Sequence, residues 1–204
     1  MFGLFLFCYL RDMKKIILLT VMVSVCFSCN TVMETLYGVN KHVFFSSKDA
    51  AATHFHKKNN LEKEKIFFFT KEKDRVDFLV NDEHGAYLPY YALMINDSVR
   101  VDDSAAGDKR CIGVVDKFVL NYDKSKATYR PLDLSDLNIT NYKGEPLDLN
   151  TANPTVVFVV DSNFGRILNA TVNYLTGHIK EEGKQINYVY ISTDYIAEND
   201  VANR

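Results

Sequence analysis

Residues 155–195 constrain the fold more than any other stretch of the chain. Thr155 to Val160 reads TVVFVV, β-branched at every position but one. A run with no polar face fits a strand covered on both sides, as in a sheet flanked by helices. Asp161-Ser162-Asn163 then supplies capping side chains. Phe164 to Glu182 is predicted helical, with Ile167, Leu168, Thr171, Val172, Leu175 and Ile179 on one face and Gly183 at the stop. Ile186 to Thr193 (INYVYIST) is the next predicted strand. Strand, crossover helix and strand form a βαβ unit, expected to be right-handed with parallel strands. The chain therefore belongs to the α/β class.

Upstream, an α+β extension precedes this core. Ser46-Ser47-Lys48-Asp49 can cap a helix running from Ala50 to Lys58 and ending near Asn59-Asn60. Lys65 to Thr70 (KIFFFT) reads as a buried strand. A second helix is predicted from Glu72 to Asp82, with Val76, Leu79 and Val80 sharing a face and Gly85 closing it. Tyr87 to Ile95 is strand-like, and Asn96-Asp97-Ser98 turns it into Val99-Arg100-Val101 as a hairpin. Pro89 places that strand at an edge, or at its own beginning. Asp102 to Arg110 reads as a surface loop, Cys111 to Val115 as a further strand, and Asn138 to Leu149 as a small hairpin turning at Lys143-Gly144.

The N-terminus carries an address. From Met13 the chain reads MKKIILLTVMVSVCFSCN, two lysines followed by an apolar run from Ile16 to Phe27 and then Ser28-Cys29. The run has the length of a signal-peptide core and falls short of the roughly 20 residues that span a bilayer. Met13 is a second candidate start, because Met1 to Asp12 adds little to a signal already complete without it. A small residue before a cysteine resembles the site processed in bacterial lipoproteins, where the thiol receives a diacylglycerol and the cysteine becomes the new N-terminus. Cys26 and Phe27 depart from the strict form of that site. The expected layout is a signal peptide over 1–28, a tether lipidated on Cys29 over 29–45, and a single α/β domain over 46–204. The alternative is an uncleaved hydrophobic anchor with an incidental cysteine.

Charge and cysteine counts exclude several functions. The full chain has 24 basic and 26 acidic residues. Removing 1–28 takes away Arg11, Lys14, Lys15 and Asp12, which leaves 21 against 25 and no surplus for binding nucleic acid. Of four cysteines, Cys8, Cys26 and Cys29 lie in or beside the N-terminal apolar region, so Cys111 stands alone in the domain. A disulfide framework, a multi-thiolate zinc site and a Cys-x-x-C pair are excluded by counting. No cofactor is implied.

Lys143-Gly144-Glu145-Pro146, a strand, a polar loop, a long helix and a strand together resemble the front half of a thioredoxin-like domain of the thiol-peroxidase and cytochrome-maturation type, over about Leu132 to Tyr195. In that family the redox cysteines sit between the first long strand and its helix, where the helix terminus lowers thiol pKa. Here that loop is Asp161-Ser162-Asn163-Phe164-Gly165-Arg166, with no cysteine, so the family's redox activity does not carry over. The chain also stops soon after Tyr195, before the proline loop and last hairpin of the family, which leaves a truncated or decayed relative as a further reading. With its lipidation-like site, the chain resembles small uncharacterised lipoproteins of the Bacteroidetes type that carry a degenerate thioredoxin-like domain. That resemblance implies a cell-envelope location, on the periplasmic or the surface face.

The remaining candidates are sparse. His54 and His56 point about 200° apart on a regular helix and cannot chelate one metal. His42, His84 and His178 are isolated in sequence. Cys111 with His84 as its base would make a thiol nucleophile, against the alternative of a packed cysteine. Asp161 and Ser162 suit either an anion or a helix cap. Tyr87, Tyr90 and Tyr91 near the expected edge are candidates for contact with an envelope protein partner. The function expected is a membrane-tethered, non-catalytic binding or scaffold domain; a thiol oxidoreductase using Cys111 is the alternative.

Overall fold

The computed structural model describes residues 43–80, 91–101 and 117–198. Helix α1, Lys48–Asn59, starts at Ser47, whose side chain accepts the Ala50 N–H at 3.2 Å. It stops at Asn60, which takes the left-handed conformation (φ 56°) and turns its N–H back to His56 O. Strand β1, Ile66–Phe69, is buried throughout. Helix α2, Glu72–Val80, precedes the hairpin of β2, Tyr91–Asn96, and β3, Val99–Val101. The short strands β4, Tyr129–Pro131, and β5, Ile139–Asn141, are followed by β6, Thr155–Val160, helix α3, Tyr174–Glu181, and β7, Asn187–Ser192.

The seven strands form one mixed sheet in the order β4-β3-β2-β6-β7-β1-β5. β6, β7 and β1 run parallel; β2 adds antiparallel to β6, and β5 antiparallel to β1. β6 and β7 stay in register from Thr155↔Asn187 to Val160↔Ser192. Alternation along these strands separates two cores. Val156, Phe158, Val160, Ile66 and Phe68 pack with Phe55 of α1 and with Leu175 and Ile179 of α3. Val157, Val159, Phe67 and Phe69 pack on the opposite face with Phe78 of α2 and Leu132, Leu134 and Leu149. All six residues of β6 are buried, as its unbroken apolar run predicts.

Three expectations are corrected. The apolar stripe of α2 is not Val76, Leu79 and Val80: Val76 and Val80 are 41% and 71% exposed, and only Phe78 is buried. The helix meets the sheet through Phe78, whose ring lies 5.2 Å from that of Phe69, and through Arg75 one turn earlier, which rotates Val76 and Val80 outward. The helix expected over Phe164 to Glu182 starts later: a 3₁₀ turn occupies Ser162–Phe164, and the helix then runs without interruption over 167–181, π-helical at Asn169–Asn173 and α-helical again in α3. Gly165 at φ 51° ends the first turn, and the extra residue of the π stretch accommodates side-chain bonds from α1. Finally, β2 is an interior strand between β3 and β6, so of the two readings of Pro89 the edge position is the one overturned; among the described residues β4 and β5 stand at the ends of the sheet order. Pro89, Tyr87, Tyr90 and the segments expected at 102–110 and 111–115 lie outside the described residues.

Candidate functional site

In open α/β sheets, binding sites gather beyond the carboxyl ends of parallel strands, where loops from neighbouring strands converge. Here the ends of β6 and β7 bring together Asp161, Ser162, Ser192, Thr193 and Asp194. Asp161 is still extended (φ −148°, ψ 140°), and its Oδ1 accepts the Asn163 N–H at 2.9 Å, capping the 3₁₀ turn. Its Oδ2 accepts from Thr193 Oγ1 at 2.9 Å. Asp194 is the centre of the cluster. Its carboxylate accepts the Ser162 N–H at 3.1 and 3.2 Å, the Ser162 hydroxyl, and the Ser192 hydroxyl at 2.8 Å. Arg75 of α2 approaches from the side: its Nη1 donates to Thr193 O at 2.9 Å while Nε and Nη2 grip Glu72.

Ser162, Ser192, Thr193 and Asp194 are all buried, Asp194 at 8% exposure. Burial, reinforced by the nearby Asp161 charge, pushes the Asp194 carboxyl up to about 6 against the opposing hydrogen bonds from Ser162 and Ser192. Arg75 is held above its ordinary value by the hydrogen bonds to Glu72, with burial partly opposing. Chemically, this is a closed acceptor hub whose donors come from its own chain. Ser162 does not sit free at a helix start to meet an anion; it donates into Asp194, and an anion there would face two carboxylates.

A second polar cluster lies at the opposite end of β7. Glu62 accepts from Lys180 Nζ at 2.8 Å, Lys65 Nζ at 3.1 Å and Tyr188 Oη at 2.5 Å, and Lys65 lies 3.6 Å above the Tyr188 ring. Burial alone would raise the Glu62 carboxyl, but these donors outweigh it and bring it down to about 2. A shallow cleft of about 290 Å³ beside β5 is lined by Thr70, Asp97, Leu134, Asn138, Ile139 and Leu149.

Of the residues singled out in the sequence, Cys29, Tyr87, Tyr90, Cys111, His42 and His84 lie outside the described residues. Tyr91 opens β2 opposite Phe158. His54 packs edge-on to Phe45 and Phe55, whereas His56 donates through Nδ1 to Leu61 O at 2.9 Å, so the two rings serve different contacts. His178 lies against Tyr174, ring centres 4.2 Å apart. The Ser192-Thr193-Asp194 triplet and Arg75 were not singled out, although three polar residues at the end of an apolar strand mirror Asp161-Ser162-Asn163 after β6. No family model, curated protein or solved structure matches the chain. Among the described residues no helix is long and apolar enough to cross a membrane.

Proposed function

We propose that this chain is a lipoprotein of the bacterial cell envelope, anchored through acyl chains on Cys29, whose α/β domain binds or scaffolds an envelope protein and does not catalyse. The observation that carries the anchoring is the order Lys14-Lys15, apolar Ile16 to Phe27, Ser28, Cys29. A single acyl chain binds a bilayer only reversibly, and the several chains of a processed lipoprotein cysteine make the attachment stable. The anchor test is acyl labelling with membrane fractionation of wild type and Cys29→Ala.

We further infer that the domain is a degenerate thioredoxin-like unit. In support, the parallel β6 and β7 are joined by a helical crossover, and an antiparallel hairpin, β2–β3, flanks β6. That hairpin comes from upstream in the chain, where the family draws its last hairpin from downstream. The loop at the family's thiol position, Asp161 to Arg166, holds no cysteine, and Asp161 and Ser162 spend their side chains on Asn163, Thr193 and Asp194. Insulin reduction tests the non-catalytic reading. Inactivity of wild type and Cys111→Ser alike is expected; activity abolished by Cys111→Ser would establish the thiol oxidoreductase instead. Tyr87, Tyr90 and Tyr91 remain the proposed partner contact, tested by crosslinking from those positions.

A further inference from the structure

The cleft beside β5 is built from two kinds of surface. Leu134, Ile139 and Leu149, all buried, form its apolar side together with the half-buried Leu137 and Leu147. Thr70, Asn138 and Asp97 supply its polar side. Asp97 belongs to the β2–β3 turn, and the turn is fixed: Asp97 O accepts the Leu134 N–H at 2.8 Å, and Asn96 Oδ1 accepts the Ser98 N–H at 3.0 Å. The half-buried Asp97 accepts the Ser98 hydroxyl on Oδ1 at 3.2 Å, and among the described residues no lysine or arginine pairs with it. Asn138 donates its Nδ2 to Asp74 at 3.1 Å, which leaves its Oδ1 as a second acceptor.

Size and charge narrow what fits. At about 290 Å³ the cleft lies at the small end of ligand pockets and admits one side chain, not a folded surface. An anion would meet Asp97, with Asp133, Asp136, Glu145 and Asp148 each one residue from the lining; the lysines beside it are Lys71 and Lys48, the latter bonded through Nζ to Thr140 Oγ1 at 3.0 Å. A wholly apolar group would strip water from the Asp97 carboxylate without replacing its hydrogen bonds. A hard metal ion takes about six or more oxygen ligands, and the leucine and isoleucine side offers none. A cation on an apolar stem suits both sides, because such stems lie along apolar surface while the charged head stays at a polar rim. Arginine suits them better than lysine: its fork carries donors for both acceptors, and it is more weakly hydrated than an ammonium.

We propose that this cleft is the seat of an arginine side chain of the partner protein, its methylene stem on Leu134, Leu137 and Leu147 and its guanidinium at the Asp97 carboxylate. The seat rests on the proposed binding role of the domain and gives the partner a chemistry.

Leucine-methyl NMR on the full chain in zwitterionic lipid nanodiscs tests it, with acetyl-Gly-Arg-Gly-amide as the probe and its citrulline counterpart, alike in shape but uncharged, as the comparison. The arginine peptide is expected to shift the Leu137 and Leu147 methyls at concentrations on the order of 1 mM, as suits a single side chain, while Leu175 in the core on the opposite face of the sheet stays unmoved. It should bind roughly fivefold tighter than the citrulline peptide, the upper end for a partly exposed ion pair. Asp97→Asn, which keeps the backbone carbonyl that holds the turn, should bring the two peptides to equal affinity. Cleft methyls unmoved by the arginine peptide, equal affinities in the wild type, or an arginine preference that survives Asp97→Asn would overturn the seat. Where the variant does not fold, the wild type decides: an arginine preference with shifts confined to the cleft supports the seat, and equal affinities overturn it. The peptides report on the cleft alone, so a negative result leaves the anchoring at Cys29 and the absence of catalysis to their own tests, and a failed palmitate label leaves the cleft result standing.

Discussion

Asn59→Ala is the substitution whose cost the structure defines best. Asn59 is 4% exposed at the end of α1, and its Nδ2 donates to Gly165 O and to Asn169 Oδ1, both at 2.9 Å. Gly165 closes the 3₁₀ turn after β6, and Asn169 opens the π-helical stretch, so one side chain ties the irregular part of the crossover to α1. The ties run both ways, because Asn173 Nδ2 donates to Asn59 O at 3.1 Å. Truncation removes two hydrogen bonds worth about 1 kcal/mol each and leaves the Gly165 carbonyl part-buried without its donor, for a total of about 2–3 kcal/mol. In a chain of this size that corresponds to a fall in Tm of about 4–12 °C. Urea unfolding followed by circular dichroism reads the loss directly. A double-mutant cycle with Asn169→Ala should give a coupling of about 1 kcal/mol, because the two variants break the same bond. A loss below about 0.5 kcal/mol, or strictly additive single effects, would refute the role assigned to Asn59.

Three further outcomes follow from burial and charge. Phe78→Ala should cost about 3–5 kcal/mol and lower the urea midpoint at constant m-value, whereas Val80→Lys on the same helix, 71% exposed, should stay within about 0.5 kcal/mol. Asp194 is raised in the folded state to about 6 from an ordinary 3.8, so its contribution is most favourable below about pH 4 and is lost as pH rises through 6. At about 1.4 kcal/mol per pH unit the loss is about 3 kcal/mol, seen as the difference between wild-type and Asp194→Asn stability curves. Glu62 has the opposite sign: depressed to about 2, it contributes stability above about pH 4.5 that is lost as pH falls through 2, and Glu62→Gln should flatten that acid limb of the unfolding curve.

The parts of the fold legible in the sequence were those with one dominant signal. TVVFVV has no charged position and only Thr155 carries a polar atom, and it became the fully buried β6; Ser47 and Asn60 bracket α1 through side-chain and backbone caps; Asn96-Asp97-Ser98 turns the β2–β3 hairpin. Where signals competed, pattern reading failed. Val76, Leu79 and Val80 have helical spacing, but Phe78 buries more apolar area and Arg75 finds a carbonyl acceptor on the sheet side, so tertiary packing chose the face. The 3₁₀ turn and π-helical stretch that open the crossover leave no mark in the local spacing, and the Asn59 side chain that bonds to Gly165 O lies 106 residues away in sequence. The same limit hid the polar cluster: Asp161 and Ser162 could be read as caps, but Asp194 is 32 residues from Ser162 and meets it only because β6 and β7 pair in parallel register. The interior position of β2 likewise depends on which strand it joins, and Pro89 carries no information about that.

The proposed lipid anchor is tested most directly by labelling cells with radioactive palmitate and fractionating membranes from wild type and Cys29→Ala. The wild type should take up label and sediment with the envelope, while Cys29→Ala loses both. A wild type that takes up no label would contradict the lipoprotein reading and favour an ordinary signal peptide or an uncleaved hydrophobic anchor in its place.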